Sequence, residues 1–562
     1  MLPPFLLNLR FLVIDPMKNI AFFVAAFLLL SAVSCSSLQK TSGQPFVWEG
    51  ANVYFLLTDR FHNGDAANDV NFNRTEKTAV LRGFEGGDLR GIIQKIDSGY
   101  FTELGVNAIW MTPVVEQIHG ATDEGTGNTY GFHGYWTKDW TALDPNFGTA
   151  ADLRELVDKA HKRGIRIVLD AVINHTGPVT PKDAVFSHSW VRTSPQCTYD
   201  SYLNTTACTL VANLPDVLTE SDAPAPLPAS LVEKWKKEGR YDAEMKSLDE
   251  FFTRTGYPRA PKYYIMKWLA DYVEQFGIDG YRVDTVKHTN EDVWADFQKV
   301  CQEAFDRYKA NNQAKVLDDQ PFFMVGEVYG YGISQKQLYD FGDKKVNYFK
   351  NGFQSLINFD FKGDAHRSYE EIFSSYSRML ANEMDGKTVM NYLTSHDDGS
   401  PFDKYRKRTF EAAVKLLLAP GISQIYYGDE TARSLIIDGA EGDATLRSNM
   451  NWDDLEVHEA TRNLLKHYQK LGKFRANHPA VGAGIHQMIA NEPYWFGRTY
   501  RNDKIVIGLD QPAGEKRVDV RGYFAPGTRI RDAYSGVRTV VGTDHTVVLD
   551  SSFSIVLLEK DL

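Results

Sequence analysis

IDGYRVDTVKH, running from Ile278 to His288, begins as a short apolar, β-rich run and ends in an arginine, an aspartate, a lysine and a histidine. Three other segments share that plan: DAVINH from Asp170 to His175, VGEVY from Val325 to Tyr329, and YLTSHD from Tyr392 to Asp397. Polar residues delivered at the C-terminal ends of several strands suit a parallel α/β barrel, whose site is built there. The rest of the chain repeats the alternation. Strand-like runs begin at Asn52, Val106, Ile165, Ile278, Phe322, Ser355, Thr388 and Ile422, separated by amphipathic stretches such as ADLRELVDKAHKRG from Ala151 to Gly164. Eight such units predict a closed (β/α)8 TIM barrel, with Gly164 stopping one of its helices.

Two regions depart from the alternation. A connection of roughly 85 residues after His175, rich in Pro, Ser, Thr and Asp, is far longer than an ordinary loop and predicts an inserted domain over residues 177–260. It divides the barrel into 46–176 and 261–476. From 477 to 562, short runs such as KIVIGLD and HTVVLD predict a C-terminal antiparallel β-sandwich. The 562 residues suffice for a large core, and an excess of 73 acidic over 62 basic residues argues against a nucleic-acid partner. Residues 1–35 read as a targeting segment: Lys18, an apolar run from Ile20 to Leu30, then SAVSC ending at Cys35. That order is similar to a bacterial lipoprotein signal, with membrane attachment only through a lipid on Cys35; the apolar run is short for a membrane span. Met17 offers a second start. Export permits a Cys197–Cys208 disulfide, the alternative being two thiols, while Cys301 reads as a buried small hydrophobe.

Residues two apart on a strand face the same side, so Arg282 and Asp284 point together into the barrel mouth. A neighbouring cation favours the ionised carboxylate, and the expectation is that Arg282 depresses the Asp284 pKa and suits it to be a nucleophile. The alternative is a purely structural pair. Glu327 follows the apolar run from Phe322, where partial burial is expected to raise its pKa and keep a general acid protonated. Two carboxylates pushed in opposite directions are the mark of glycoside cleavage. Asp397 offers a third carboxylate to hold sugar hydroxyls while the ring distorts, with His175 and His396 as hydrogen-bond partners.

DAVINH, GYRVDTVKH, GEVY and SHD, with GFHGYWTKDW from Gly131, LPDV from Leu214 and YYGDE from Tyr426, resemble the signature regions of the α-amylase family, glycoside hydrolase family 13. The resemblance covers nearly the whole mature chain. Within the family, EQIHG from Glu116 and LPDVLTES are most similar to the periplasmic members of Gram-negative bacteria, which implies a periplasmic or outer-membrane location and a monomer. It implies retaining endo-hydrolysis of α-1,4 bonds in starch or maltodextrins, with Asp284 as nucleophile, Glu327 as acid/base and Asp397 as transition-state stabiliser. Arg282, His175 and His396 would line the same subsite, Tyr135 would stack under the sugar with His133 nearby, and Lys287 and His288 would reach toward the leaving group. The resemblance also implies Ca²⁺ on the side chains of Asn174 and Asp216 and the backbone carbonyl of His288. HNGDAAND with GGD supplies Asn63, Asp65, Asn68, Asp69, Gly86 and Asp88, which resemble a second calcium loop of cyclodextrin-forming relatives; plain turns share that composition. A cyclomaltodextrinase or glucan transferase on the same barrel stays open, as does a non-catalytic starch-binding scaffold, against which the intact carboxylates and Arg282 argue.

Overall fold

All eight apolar runs become barrel strands: β1 (Asn52–Leu56), β2 (Ala108–Met111), β3 (Arg166–Ala171), β4 (Gly280–Val283), β5 (Phe323–Gly326), β6 (Ser355–Asn358), β7 (Thr388–Tyr392) and β8 (Ile422–Tyr426). The structure, a computed structural model, describes residues 45–561, so the targeting segment and Cys35 lie outside the described residues. The strands close in the order β1-β8-β7-β6-β5-β4-β3-β2, and every neighbouring pair is parallel. Each is buried along its whole length. Helices cover the outer face and side chains fill the inner one, which is why the runs are continuously apolar rather than alternating. Stacked ring pairs pack the interior, Phe55 on Trp110 at 3.6 Å and Trp48 on Phe323 at 3.8 Å.

Six of the seven connections between barrel strands carry a helix of nine or more residues, namely α1 (Leu89–Asp97), α2 (Ala150–Lys162), α3 (Pro261–Phe276), α4 (Asp292–Asn311), α5 (Tyr369–Glu383) and α6 (Thr409–Leu417), and α7 (Glu459–Asn477) follows β8 and leads out of the barrel. A reciprocal Thr149–Asp152 capping box starts α2, and Gly164, at φ +72°, turns the chain into β3 in a conformation that favours glycine. The β5–β6 connection breaks the expected alternation. It consists of 3-10 turns (Ile333–Gln335, Tyr348–Asn351) and a hairpin pairing Tyr339–Asp340 with Lys345–Val346. Gly330, Gly342 and Gly352, all at positive φ, interrupt any helical period there.

The insertion between β3 and α3 pairs Val191–Arg192 with Asp216–Val217 and adds helices Ala229–Lys237 and Tyr241–Thr255. It is anchored by Trp190 and Trp235, each 6.2 Å from Trp268 of α3. The Cys197–Cys208 disulfide is formed, and Cys301 is buried in α4. Among the described residues no helix is long and apolar enough to cross a membrane.

The C-terminal domain has eight strands: β9 (Ile485–Ala490), β10 (Tyr494–Tyr500), β11 (Asp503–Leu509), β12 (Gly514–Asp519), β13 (Arg529–Asp532), β14 (Arg538–Val540), β15 (Thr546–Ser551) and β16 (Val556–Lys560). Six form an antiparallel sheet in the order β9-β10-β11-β16-β13-β14, and β12 pairs with β15. Strands β12 to β14 escape the apolar pattern because GEKRVD, RIRD and RTV alternate with charged or polar residues. His478, just beyond α7, ties this domain to the barrel: Nδ1 lies 2.8 Å from Asp503 of β11 and Nε2 2.8 Å from Glu559 of β16. Burial opposes its charge, but the two carboxylates outweigh burial and push its pKa from 6.5 to about 9.

A folded-state pKa above the unfolded one gives stability that is complete below about pH 6.5 and lost as pH rises through 9. The rise corresponds to about 3 kcal/mol. Thermal unfolding followed from pH 6 to 9.5 is expected to show this loss in wild type, and His478→Gln is expected to unfold at lower temperature at pH 6 with a flatter pH dependence. Parallel pH curves for the two proteins would remove the clamp.

Candidate active site

Register sets Arg282 of β4 beside Asp170 of β3. Arg282 is 1% exposed and is the hub of the site. Its Nη1 donates to Asp284 at 2.8 Å and to Asp170 at 3.0 Å, while Nη2 lies 3.0 Å from Glu327. Asp170 is itself fixed by Trp110 Nε1 at 3.2 Å and the Tyr135 hydroxyl at 2.8 Å. Glu327 leaves the end of β5, and its Oε2 accepts the Thr285 N–H at 3.0 Å. Thr285 directs that N–H from φ +49°, a left-handed conformation costing a β-branched residue about 1–2 kcal/mol. Beyond β7, Asp397 is bracketed by His396 Nε2 at 2.9 Å and by Arg447 from the loop after β8.

The electrostatics correct one expectation from the sequence. Arg282 does not depress the Asp284 pKa on balance: burial raises it to about 6, with Asp170 and Asp397 adding to the rise and Arg282 only opposing it. Glu327 goes as expected, burial lifting it to about 7 against the pull of Arg282. Burial and mutual repulsion thus push both carboxyls upward, with Arg282 opposing the rise at each. Asp397 behaves differently. Burial raises it too, but the His396 ring and the Arg447 charge hold its carboxyl well below the usual range, although its side chain is 39% open to the cleft.

A cleft of about 570 Å³ opens above these carboxylates. His133, Tyr135, His175, Lys287 and His288 line it together with Asp284, Glu327 and Asp397, and Arg282 and His396 line the adjoining floor. Tyr135 is stacked between His133 and His396, 5.8 and 5.4 Å away. Burial lowers His175 to about 4, so its ring is neutral, with Nε2 3.1 Å from the Tyr135 carbonyl. Lys287 Nζ donates to the Tyr329 carbonyl at 3.0 Å, and burial lowers its pKa. The His288 ring turns to the insertion, Nδ1 lying 3.1 Å from the Thr205 carbonyl. Two functional neighbours were not singled out from sequence. Asp170 opens DAVINH and is recoverable from the β3–β4 register, whereas Arg447 sits in a loop without a motif.

Asn174, Asp216 and His288 also converge. Thr289 Oγ1 donates to Asn174 Oδ1 at 3.2 Å, and the Val217 N–H to the Asn174 carbonyl at 2.8 Å. Asp216 is buried, Arg192 Nε lies 2.7 Å from its Oδ2, and Asn174 stands beside it. A buried carboxylate beside an amide and backbone oxygens is a donor set that fits Ca²⁺. Among the described residues no three His, Cys, Asp or Glu side chains cluster as a metal site, so amide and backbone oxygens would have to contribute. In the second loop Asp88 caps α1 and accepts from Gly64, Asp65, Asn68 and Gly91. Asn63 Nδ2 donates to Asp69 Oδ1 at 2.9 Å, Gly86 approaches both side chains, and Asn68 Oδ1 is buried without a partner. Asp88 is therefore spent on protein donors.

Comparison with known proteins follows the same lines. The family description "Alpha amylase, catalytic domain" matches residues 55–456. The chain is 36% identical over 526 residues to the periplasmic alpha-amylase of Escherichia coli K12, spanning 84% of this chain and 73% of that one. It is 26% identical to a cyclomaltodextrin glucanotransferase of Bacillus sp. strain 1011, over 82% of this chain and 59% of that one. An alpha-amylase structure from Anoxybacillus superposes with a TM-score of 0.62 at 24% identity, covering 92% of this chain and all of that one, a likeness of fold.

With Asp284 as nucleophile and Glu327 as acid, as the resemblance implies, protonating Asp284 would remove the one and ionising Glu327 the other. The pH profile of kcat/KM on a glycosidic substrate is therefore expected to be a bell, rising through about 6 and falling through about 7. A profile flat from pH 5 to 9 would contradict this assignment.

Proposed function

The chain belongs to the alpha-amylase family, and from that premise we propose that it is an endo-acting, retaining hydrolase of α-1,4-glucans such as starch and maltodextrins. The observation that carries the reading is that one buried guanidinium holds both Asp284 and Glu327 at the mouth of the barrel, with the Glu327 carboxyl pushed up by burial. Asp284 attacks the anomeric carbon while Glu327 gives its proton to the departing glycosidic oxygen, leaving a glycosyl ester on Asp284. Glu327, now a carboxylate, takes a proton from water, whose oxygen displaces Asp284 and restores the starting configuration. Asp397, open to the cleft and firmly ionised, accepts sugar hydroxyls as the ring distorts. A sugar hydroxyl in place of water would give transfer, so the likeness to a cyclodextrin-forming enzyme makes product analysis part of the test.

The proposal includes a structural Ca²⁺ on Asn174, Asp216 and the His288 carbonyl, where it would join Arg192 in compensating the buried Asp216 and pin the insertion to the β4 loop. In the second loop an ion would draw on Asn63, Asp65, Asn68, Asp69 and Gly86 rather than Asp88. The periplasmic relative and the sequence ending at Cys35 support an exported enzyme, attached by lipid if Cys35 is modified and acting as a monomer.

Wild type is expected to release a ladder of linear oligosaccharides from soluble starch, and Asp284→Asn to lose at least about 10³-fold in kcat. Cyclic or lengthened products would make it a transferase; starch binding without turnover would make it a binding protein. Chelation is expected to lower the melting temperature, and free Ca²⁺ at 100 times its Kd to restore about 2.7 kcal/mol. Asp216→Ala is expected to abolish that restoration, and a melting temperature indifferent to both chelator and Ca²⁺ would remove the ion.

A further inference from the structure

The Cys197–Cys208 disulfide closes a short loop of the insertion on the wall of the cleft. Inside it, Cys197 N–H donates to the Thr209 carbonyl at 2.9 Å, and the Thr198 and Tyr199 N–H groups both donate to the Asn204 carbonyl. Tyr199 sits at φ +62°, a conformation an aromatic residue rarely adopts, and its hydroxyl donates across the loop to the Leu210 carbonyl at 2.8 Å. Its phenol is thus tied at both ends. The ring nevertheless stays 49% exposed, lies edge-on to His288 at 5.7 Å, and lines the same cleft as Asp284 and Glu327 with Leu210, Val211 and Leu214.

The loop is docked rather than loose. The Thr205 carbonyl meets the His288 ring at 3.1 Å, and the Tyr202 hydroxyl donates to Asn290 and Glu291. Both anchors lie on the segment that follows the nucleophile. A half-open aromatic wall with aliphatic neighbours, in a cleft that also holds the carboxylates and the Tyr135, Trp136 and Tyr329 rings, suits the apolar C–H face of a pyranose. An ordered backbone outlier held by a closed loop is the kind of strain that functional positions retain.

We propose that Tyr199 is a sugar-contacting residue of this cleft, on the side of His288, and that the Cys197–Cys208 disulfide is a positioning element that acts through it. The proposal rests on the glucan-hydrolase reading above for the identity of the ligand. The disulfide makes no contact with the reacting atoms; it limits the orientations open to Tyr199 before substrate arrives, so its contribution is to binding.

The test is calorimetric binding of maltoheptaose in a Glu327→Gln background, with Tyr199→Ala, Tyr199→Phe and Cys197→Ser/Cys208→Ser added separately and in combination. Tyr199→Ala is expected to raise Kd at least threefold, Tyr199→Phe to stay within twofold, and the serine pair to raise Kd as Tyr199→Ala does. Combining the serine pair with Tyr199→Ala is expected to add nothing, because both remove one interaction. In otherwise unaltered enzyme the same changes are expected to raise KM for starch and leave kcat within twofold. Tyr199→Ala within twofold of its parent, or a serine pair whose effect adds fully to it, would overturn the proposal. Failure of wild type to cleave starch would sink the hydrolase reading while the binding comparison still decides this one; no maltoheptaose binding by the parent would overturn both.

Discussion

Everything at the mouth of this barrel depends on burying Arg282 among three carboxylates. A guanidinium removed from water is tolerable only when paired and hydrogen-bonded, and Asp170, Asp284 and Glu327 supply that pairing. The dependence runs both ways: without the cation, three buried acids would face one another. Breaking a buried pair of this kind typically costs about 3–5 kcal/mol, because the remaining charges are left uncompensated. The same guanidinium holds Asp284 and Glu327 close and sets how strongly each resists losing or gaining a proton. Structural and chemical roles therefore sit on the same atoms.

The segment after Asp284 extends that dependence outward. Thr285 turns its N–H to Glu327, His288 meets Thr205 of the disulfide loop, Thr289 donates to Asn174, and Asn290 and Glu291 accept Tyr202. A few consecutive residues thus bind the acid, the insertion and the oxygen cluster around Asp216. The insertion is a long excursion of chain, yet it is referred to Asp284 and Glu327 through short contacts. Displacement of this segment would be felt at all three places.

The Asp284 pKa shows where local reasoning ends. An adjacent arginine is visible in GYRVD, and its pull on the carboxylate is real. What the string does not display is that Asp170 competes for the same cation and that Asp284 and Glu327 are largely buried at the floor of the cleft. Four carboxylates, Asp170, Asp284, Glu327 and Asp397, share two guanidiniums, Arg282 and Arg447. Desolvation and mutual repulsion then outweigh a single favourable neighbour. Asp397 escapes because His396 and Arg447 stand beside it and outweigh the burial.

The barrel was legible because its period is simple: apolar runs buried on both faces, each ending in residues too polar for a core. The acid at Glu327, the pair at Arg282 and Asp284, and the capped helix ending near Gly164 follow from the same local rules of burial and spacing. Strands β12 to β14 were not legible, since alternation with charged residues imitates a loop, and neither was the helix-free β5–β6 connection. Arg447 was beyond reach because no local pattern marks a residue whose partner lies 50 positions away. Asp170 and Thr285 stood inside quoted motifs, but their roles come from strand register and a left-handed backbone turn. The sequence by itself determined which elements form and which chemical groups they deliver. Only the tertiary structure decided how many charges share the floor of one cleft, and with that the balance of burial against pairing that acts on each carboxyl.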